Sequence, residues 1–328
     1  MMRSPHFVSV AVRKPSQSII IRSLPYQGWN QRFPLFKKPI LRGIVTLLES
    51  MLQGMDALSY SAGIASIEEA SEKSEEKLSA WAIAGSLFMA VILGAGLFVA
   101  LPHFLTVWLT SLETIQITAQ SPLFHLLDGF LKIVILLAYV YLIALMKDIH
   151  RVFQYHGAEH KAIYTFEAGE DLTVENARKY TTLHPRCGTS FLLFLVLISV
   201  GVFSGLFPLF HLSELFSVSL LNHLFMIGMK MVLMLPVAGL SYEFIKACAF
   251  RMENPIFRIL MWPGMTLQNL TTREPSDDQL EVALASLKQV LRLEKSAQVW
   301  NESSQELEII QLADLGVARA QVSEFPEI

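Results

Sequence analysis

Two short segments of this sequence contain residue types that bind metal ions or transfer protons. The first, QYHGAEHK, contains His156, Glu159 and His160. If the segment is helical, its two histidines are four residues apart and lie on one face, with Cβ atoms about 6 Å apart. Two imidazoles placed in this way can bind one metal ion. The order His-x-x-Glu-His also occurs in inverzincin peptidases, in which the glutamate activates a zinc-bound water.

The second segment, HPRCGTS, adds ligands at the other end of the same polar loop. Imidazole nitrogen and thiolate sulfur together favour zinc over magnesium or calcium. The predicted ligands are the histidines and the cysteine of the two segments: His156, His160, His184 and Cys187. Four protein ligands predict a closed, structural zinc site. Three leave a position for water, in which case Glu159 is the predicted general base and Arg186 the predicted stabiliser of an anionic intermediate.

The same residues also allow an interpretation without a metal. Histidines at a membrane surface can hydrogen-bond backbone carbonyls. Glu159 can pair with Lys161 or Arg186, and Cys187 can serve as a small core residue. The sequence leaves a metal site and a set of ordinary polar contacts both open.

The elements that must position these residues are long apolar helices. The chain of 328 residues is 52% hydrophobic and 17% charged, which is too apolar for an ordinary soluble enzyme. About 20 apolar residues cross the roughly 30 Å of bilayer hydrocarbon. Runs of this length predict four transmembrane helices, at residues 78–101, 123–146, 190–210 and 223–245. The predicted fold class is an all-α membrane protein with a small N-terminal β-hairpin and cytoplasmic amphipathic helices.

The distribution of basic residues predicts the orientation of the spans. The connections 102–122 and 211–222 contain no Lys or Arg. Residues 1–43 contain eight basic residues and no acidic one, and the loop 147–189 contains six basic residues. Because positive charge resists translocation, both termini and the loop with the His and Cys residues are predicted to be cytoplasmic.

The remaining segments have their own patterns. The β-prone runs 7–12 and 18–22 predict the hairpin, and leucines at helical spacing after residue 276 predict an amphipathic helix. The predicted division of the chain is a basic segment with the hairpin (1–38), an amphipathic helix and charged linker (39–77), the four-span domain (78–250) with its cytoplasmic loop (147–189), a juxtamembrane segment with an amphipathic helix (251–293), and a variable tail (294–328).

Asp128, Lys132 and Lys230 are ionisable residues within the predicted spans. Asp128 and Lys132 are four residues apart on the second span, and this spacing predicts an ion pair. Lys230 on the fourth span has Asp128 or Glu214 as a candidate partner. Ionisable groups inside a membrane are costly and are therefore candidates for function.

Two local patterns predict how the chain leaves the membrane. Residues 123–169 contain no proline, so the second span is predicted to continue into the cytoplasm as one helix that carries the first histidine motif. After the fourth span, Trp262-Pro263-Gly264 predicts a turn with an aromatic anchor at the membrane surface.

Three long segments closely resemble the YqhQ-like family of bacterial multi-pass membrane proteins, which is classed as a domain of unknown function. They are ALMKDIHRVFQYHGAEHKAIYTFEAGEDLTVENARKYTTLHPRCGTSFLL, LPVAGLSYEFIKACA and PGMTLQNLTTREPSDDQLEVALASLK. The resemblance implies a location in the bacterial cytoplasmic (inner) membrane and carries the label of a predicted metal-dependent enzyme. The polar residues shared with the family are His156, Glu159, His160, His184, Arg186 and Cys187. Family members usually open with a glycine-rich segment similar to GGQAVIEGVMMR, whereas this chain begins with MMRSP.

These observations lead to two functional hypotheses. One is a zinc-dependent hydrolase that acts on a peptide or lipid at the membrane. The other is a non-enzymatic assembly or regulatory scaffold, in which a structural metal or a hydrogen-bond cluster holds the cytoplasmic loop. The expected partners are the lipid bilayer and either a membrane protein complex or further copies of the chain, and no nucleic acid is expected.

Overall fold

The N-terminal segment forms a small antiparallel sheet. Its strands are β1 (Met2–Arg3), β2 (Phe7–Arg13) and β3 (Ile19–Pro25), in the order β1-β2-β3. Alternate residues of β3 are buried, as expected for a strand that packs one face against the protein. The predicted hairpin is confirmed, and β1 adds a short third strand to it.

The rest of the chain, as far as the structure describes it, is mostly helical. The computed structural model describes residues 1–67, 80–112, 117–119, 121–210 and 218–296. The helices in this part are α1 (Trp29–Arg32), α2 (Leu41–Ile67), α3 (Ala80–Ala95), α4 (Leu101–Leu112), α5 (Pro122–Ala144), α6 (Lys147–Glu167), α7 (Val174–Arg178), α8 (Ser190–Leu209), α9 (Ser219–Ala249), α10 (Pro255–Thr271) and α11 (Asp277–Lys295). A π-helical segment, Gly96–Ala100, joins α3 to α4.

Among the described residues, four helices are long and apolar enough to cross a bilayer: Phe88–Leu112, α5, α8 and α9. Large apolar side chains such as Leu93, Phe130 and Val232 are exposed on these helices. Exposed apolar surface of this kind is typical of contact with lipid. The predicted fold class, a helical protein with four candidate spans and a small hairpin, is confirmed.

The first of these helices continues further along the chain than predicted. The sequence predicts an end at residue 101, whereas the helix continues to Leu112. Pro102 has no N–H to bond the carbonyl of the residue four positions earlier, which would normally interrupt a helix. The π-helical segment directly before it changes the hydrogen-bonding register and accommodates this interruption.

The second span and the helix that carries the histidines are separate elements. Met146 has an extended backbone (φ −71°, ψ 132°) and is the N-cap of α6, while α5 has already ended at Ala144. The prediction of one continuous helix is therefore wrong. The two helices bury different surfaces, because α5 packs mainly on α8 and α6 packs mainly on α11. A break between them lets each helix take its own direction.

The predicted turn at Trp262-Pro263-Gly264 is also wrong, because all three residues lie within α10. A Cβ atom added to Gly264 would lie 2.5 Å from the Phe194 ring and 2.9 Å from the Ser190 Cβ. Gly264 therefore permits close contact between α10 and α8. This packing stabilises a helix that contains an internal proline.

The sheet, α6 and α11 pack together in a layer outside the four spans. The apolar stripe of α11 is buried in this layer: Leu280, Leu284 and Leu287. It packs against Ala158 and Ala162 of α6, which are fully buried. His156 and His160 are two residues before these alanines, so they lie on the opposite face of α6. The packing on α11 thus directs both histidines away from the layer.

Candidate metal centre

Three predicted ligands converge at one point. His156 and His160 lie on one face of α6, with ring centroids 4.4 Å apart. Cys187 lies in the loop between α7 and α8, and its Sγ is 3.2 Å from His156 Nε2. One ligand atom from each of the three residues lies within 4.8 Å of the other two. We call these three residues the His/Cys cluster.

Both imidazoles of the cluster are oriented by backbone carbonyls. His156 Nδ1 donates to the Thr271 carbonyl at 2.9 Å, and His160 Nδ1 donates to the Thr182 carbonyl at 2.5 Å. A carbonyl only accepts, so the proton of each ring is on Nδ1. In the neutral form of each ring the lone pair is then on Nε2, where it can bind a metal, which is the usual arrangement around metal-binding histidines.

The backbone near Cys187 is fixed by Gln268 of α10, a buried residue that the sequence patterns did not identify. Its side chain accepts from the His184 N–H at 2.7 Å and donates to the His184 carbonyl and the Ser190 hydroxyl, both at 2.8 Å. Thr189 contacts the Cys187 sulfur with its hydroxyl at 3.1 Å. The sequence feature that could have pointed to Gln268 is the presence of a glutamine among the apolar residues of α10.

The cluster favours a charged pair when no metal is bound. Burial raises the pKa of the Cys187 thiol, but hydrogen bonds and charge from His156 and His160 outweigh burial and lower this pKa to about 5. Burial lowers the pKa of His156, but the hydrogen bond and charge of Cys187 raise it to about 9. At neutral pH the pair is therefore thiolate and imidazolium. The thiolate is the form of cysteine that binds metals, and a metal would displace the imidazolium proton.

His184 lies beside the cluster, but its ring nitrogens contact other groups. Its ring centroid is 5.6 Å from that of His160. Its Nε2 is 3.5 Å from a carboxylate oxygen of Glu167, and its Nδ1 accepts from the Arg186 N–H at 3.2 Å. Glu167, which was not predicted, is the acidic residue seven positions after His160 on α6. Its position next to His184 depends on the fold of the loop.

The two predicted catalytic residues are more exposed than the cluster. Glu159 Oε1 is 2.7 Å from the amino nitrogen of Met1, and one third of the Glu159 side chain is exposed. Arg186 donates to Glu167 at 2.6 Å, and about half of the Arg186 side chain is exposed. Within the described residues, neither side chain is hydrogen-bonded to the cluster. The negative charge of Glu159 nevertheless contributes to the raised pKa of His156.

The fold and the cluster define a helical protein with four bilayer-length apolar helices and, at the end of one of them, a group of two histidines and one cysteine in which His160 and Cys187 are buried and His156 is half-buried. The chain belongs to the family described as "Protein of unknown function (DUF1385)", whose sequence model matches residues 38–293. It is 34% identical over 308 residues to "Uncharacterized protein YqhQ" of Bacillus subtilis (strain 168), and the match covers 90% of each chain. The resemblance to the YqhQ-like family is thus confirmed. No solved structure matches the chain.

Proposed function

We propose that His156, His160 and Cys187 bind a zinc ion. The convergence of their three ligand atoms within 4.8 Å carries this proposal. Two imidazoles and one thiolate are donors that favour zinc among common protein metals. The carbonyl partners of both histidines supply the outer contacts that metal-binding imidazoles need.

A zinc ion held by these three residues would supply a bound water of lowered pKa, and this supports a hydrolase that acts on a membrane-proximal substrate. In this proposal Glu159, next in sequence to His160, would be the general base for that water. Arg186 stabilises the anion that forms during hydrolysis. Glu167 contacts both His184 and Arg186. The hydrogen bond of His184 and the charge and hydrogen bond of Arg186 outweigh burial and lower the pKa of Glu167, so this carboxylate stays ionised.

The metal content of purified variants tests the zinc proposal. We expect about one zinc per wild-type chain, and a loss of most of it in Cys187→Ser and His160→Ala because each removes one of three ligands. His184→Ala is the matched control, since His184 is buried nearby but its ring faces Glu167. Negligible zinc in the wild-type protein would refute the proposed zinc site. Loss in His184→Ala equal to that in Cys187→Ser would make His184 a fourth ligand and the site a closed one.

The open coordination position has its own test, which needs no substrate. Cobalt(II) can replace zinc, and its visible absorption bands report the coordination of the ion. We expect addition of azide to change these bands in the wild-type protein, because azide can take the position of the water. Glu159→Gln should give the same cobalt spectrum and the same response, because Glu159 is not a ligand. Bands that azide does not change would contradict an open site and would support a structural one.

A structural role is the second candidate, and the connections of the cluster favour it. Through Thr182, Cys187 and Thr271 the cluster joins α6, the loop before α8 and the end of α10. A metal at this point would hold three elements together. In addition, α2 exposes a row of apolar side chains that a partner protein or a further copy of the chain can cover: Leu48, Met51, Leu52 and Leu58. In this case the metal supports assembly of a membrane protein complex.

For the topology, we propose that both termini and the loop 147–189 are cytoplasmic in a bacterial inner membrane. The basic residues of the N-terminal segment and of this loop support the orientation. The contacts of the sheet and α6 with α11 support it as well, because they bring the chain before the first span, the loop and the chain after the fourth span to one side. We also propose that 78–250 is the membrane domain. Residues 297–328 of the predicted variable tail lie outside the described residues, as do residues 68–77 of the predicted charged linker.

A further inference from the structure

A large apolar cavity lies among the four spans. Its volume is about 540 Å³, which is within the range of small-molecule sites, and helices α3, α5, α8 and α9 contribute its walls. Most lining residues are apolar, for example Phe98, Leu136 and Val196. Lining residues Val91, Tyr139 and Leu192 are also exposed on the surface of the helix bundle. The cavity is therefore accessible from the side, where lipid is expected.

One end of the cavity lies next to the His/Cys cluster. Thr189 and Thr271 line this end, and their hydroxyls are 3.2 Å apart. Thr189 contacts the Cys187 sulfur at 3.1 Å, and the Thr271 carbonyl accepts from His156 at 2.9 Å. Thr189 and Thr271 thus separate the apolar cavity from the His/Cys cluster.

The other end of the cavity is bounded by Lys132 and Lys230. Both ammonium groups donate to the same oxygen of Asp128, at 2.7 Å and 2.9 Å. Both ammonium groups are thus hydrogen-bonded within the protein at this end of the cavity. Along α5 the lining residues extend from Lys132 to Ile143, which corresponds to about 16 Å at 1.5 Å per residue. The length and the apolar walls suit an extended hydrocarbon chain.

We propose that this cavity binds one hydrocarbon chain of a lipid, with the polar group of the lipid at the Thr189 and Thr271 end. A peptide is a poor occupant, because its backbone N–H and C=O groups would lack partners along the apolar walls. The identification of this lipid as the substrate of the metal centre rests on the proposed hydrolase function. The binding of the hydrocarbon chain in the cavity does not depend on that function.

Photolabelling tests this assignment. Wild-type protein in bilayer vesicles is labelled with a single-chain lysophospholipid that carries a diazirine in its acyl chain, and the labelled residues are mapped by mass spectrometry. We expect label on cavity residues such as Leu136 and Val196. The Trp side chain of Val196→Trp would occupy the cavity, so a hydrocarbon chain could enter only by overpacking it. This should reduce the labelling about tenfold or more. Leu197→Trp is the matched control, because Leu197 is the next residue of α8 and is exposed.

Gly94→Leu provides a second way to fill the cavity if Val196→Trp does not fold. Gly94 lines the opposite wall, and an added Cβ would meet no atom within 4 Å. Equal labelling of the cavity residues in wild type, Val196→Trp and Gly94→Leu would overturn the proposal, as would label confined to exposed residues. Zinc content is measured on the same samples. Cavity labelling without bound zinc would refute only the proposed metal function. Bound zinc without cavity labelling would refute only the proposed hydrocarbon-chain site.

Discussion

Replacement of Asp128 by Asn is expected to lower the free energy of unfolding by about 3–5 kcal/mol. Asp128 is buried in α5 and accepts from Lys132 on the same helix and from Lys230 on α9. The structure confirms the pair that the four-residue spacing predicts. Of the two candidate partners of Lys230, Asp128 accepts from its ammonium group, and Glu214 lies outside the described residues. Asn keeps the shape of the side chain but removes the charge. Two buried ammonium groups then lose the carboxylate that compensates one of their two charges, and uncompensated buried charge is costly.

The change in the free energy of unfolding is measured in mixed micelles, in which the fraction of a denaturing detergent is raised stepwise. Glu243→Gln is a suitable control, because it removes the charge of a partly exposed ion pair with Arg42, and such pairs contribute about 0–1 kcal/mol. The triple change Asp128→Leu, Lys132→Met and Lys230→Met should recover most of the loss, since it removes the cations as well as the carboxylate. If Asp128→Asn costs no more than Glu243→Gln, the charge of Asp128 does not stabilise the two buried ammonium groups.

Much of the architecture could be predicted because it depends on local sequence. Uninterrupted apolar runs such as 190–210 define the spans whatever their neighbours are. The four-residue spacing of His156 and His160 requires only that their segment be helical. The same applies to Asp128 and Lys132. These features depend on the helical repeat alone, and the structure agrees with them.

The parts that could not be predicted depend on contacts between distant segments. The ring of His184 faces Glu167 because of the path of the loop, which Gln268 fixes from a helix 84 residues away in the sequence. The hydrogen bonds that orient the histidines of the cluster go to backbone carbonyls, and residue types give no information about these. The helix through Pro263 likewise depends on the close contact of Gly264 with α8. A sequence pattern therefore supplied the ligand types but not the geometry around them.

The second large effect is expected for Gly157→Ala, which should lower both the stability and the zinc affinity of the protein. An added Cβ would lie 2.2 Å from the backbone carbonyl oxygen of Arg273 and 3.2 Å from a methyl group of Thr182. A backbone oxygen cannot rotate away, and the Arg273 N–H is bonded to the Phe153 carbonyl at 2.9 Å. The segment that contains Arg273 must therefore move away from α6, at a cost of about 1–3 kcal/mol.

The same movement would disturb the metal centre. Thr271, two residues before Arg273, supplies the carbonyl that holds His156, and Thr182 supplies the one that holds His160. Loss of such outer contacts typically lowers metal affinity about 10–100-fold. Competition with a zinc chelator measures the affinity, and unfolding in mixed micelles measures the stability.

The sign of the change in stability of Gly157→Ala distinguishes a steric contact from the ordinary effect of replacing Gly by Ala in a helix. In a helix without a nearby obstacle, Ala is more favourable than Gly by about 1 kcal/mol, because Gly loses more backbone entropy on folding. Gly54 of α2 is such a position, since an added Cβ would meet no atom within 4 Å. Gly54→Ala should therefore stabilise the protein or leave it unchanged, and zinc affinity should not change. If Gly157→Ala also stabilises the protein, the contact between α6 and the Arg273 carbonyl does not constrain the centre, and both imidazoles must be oriented in another way.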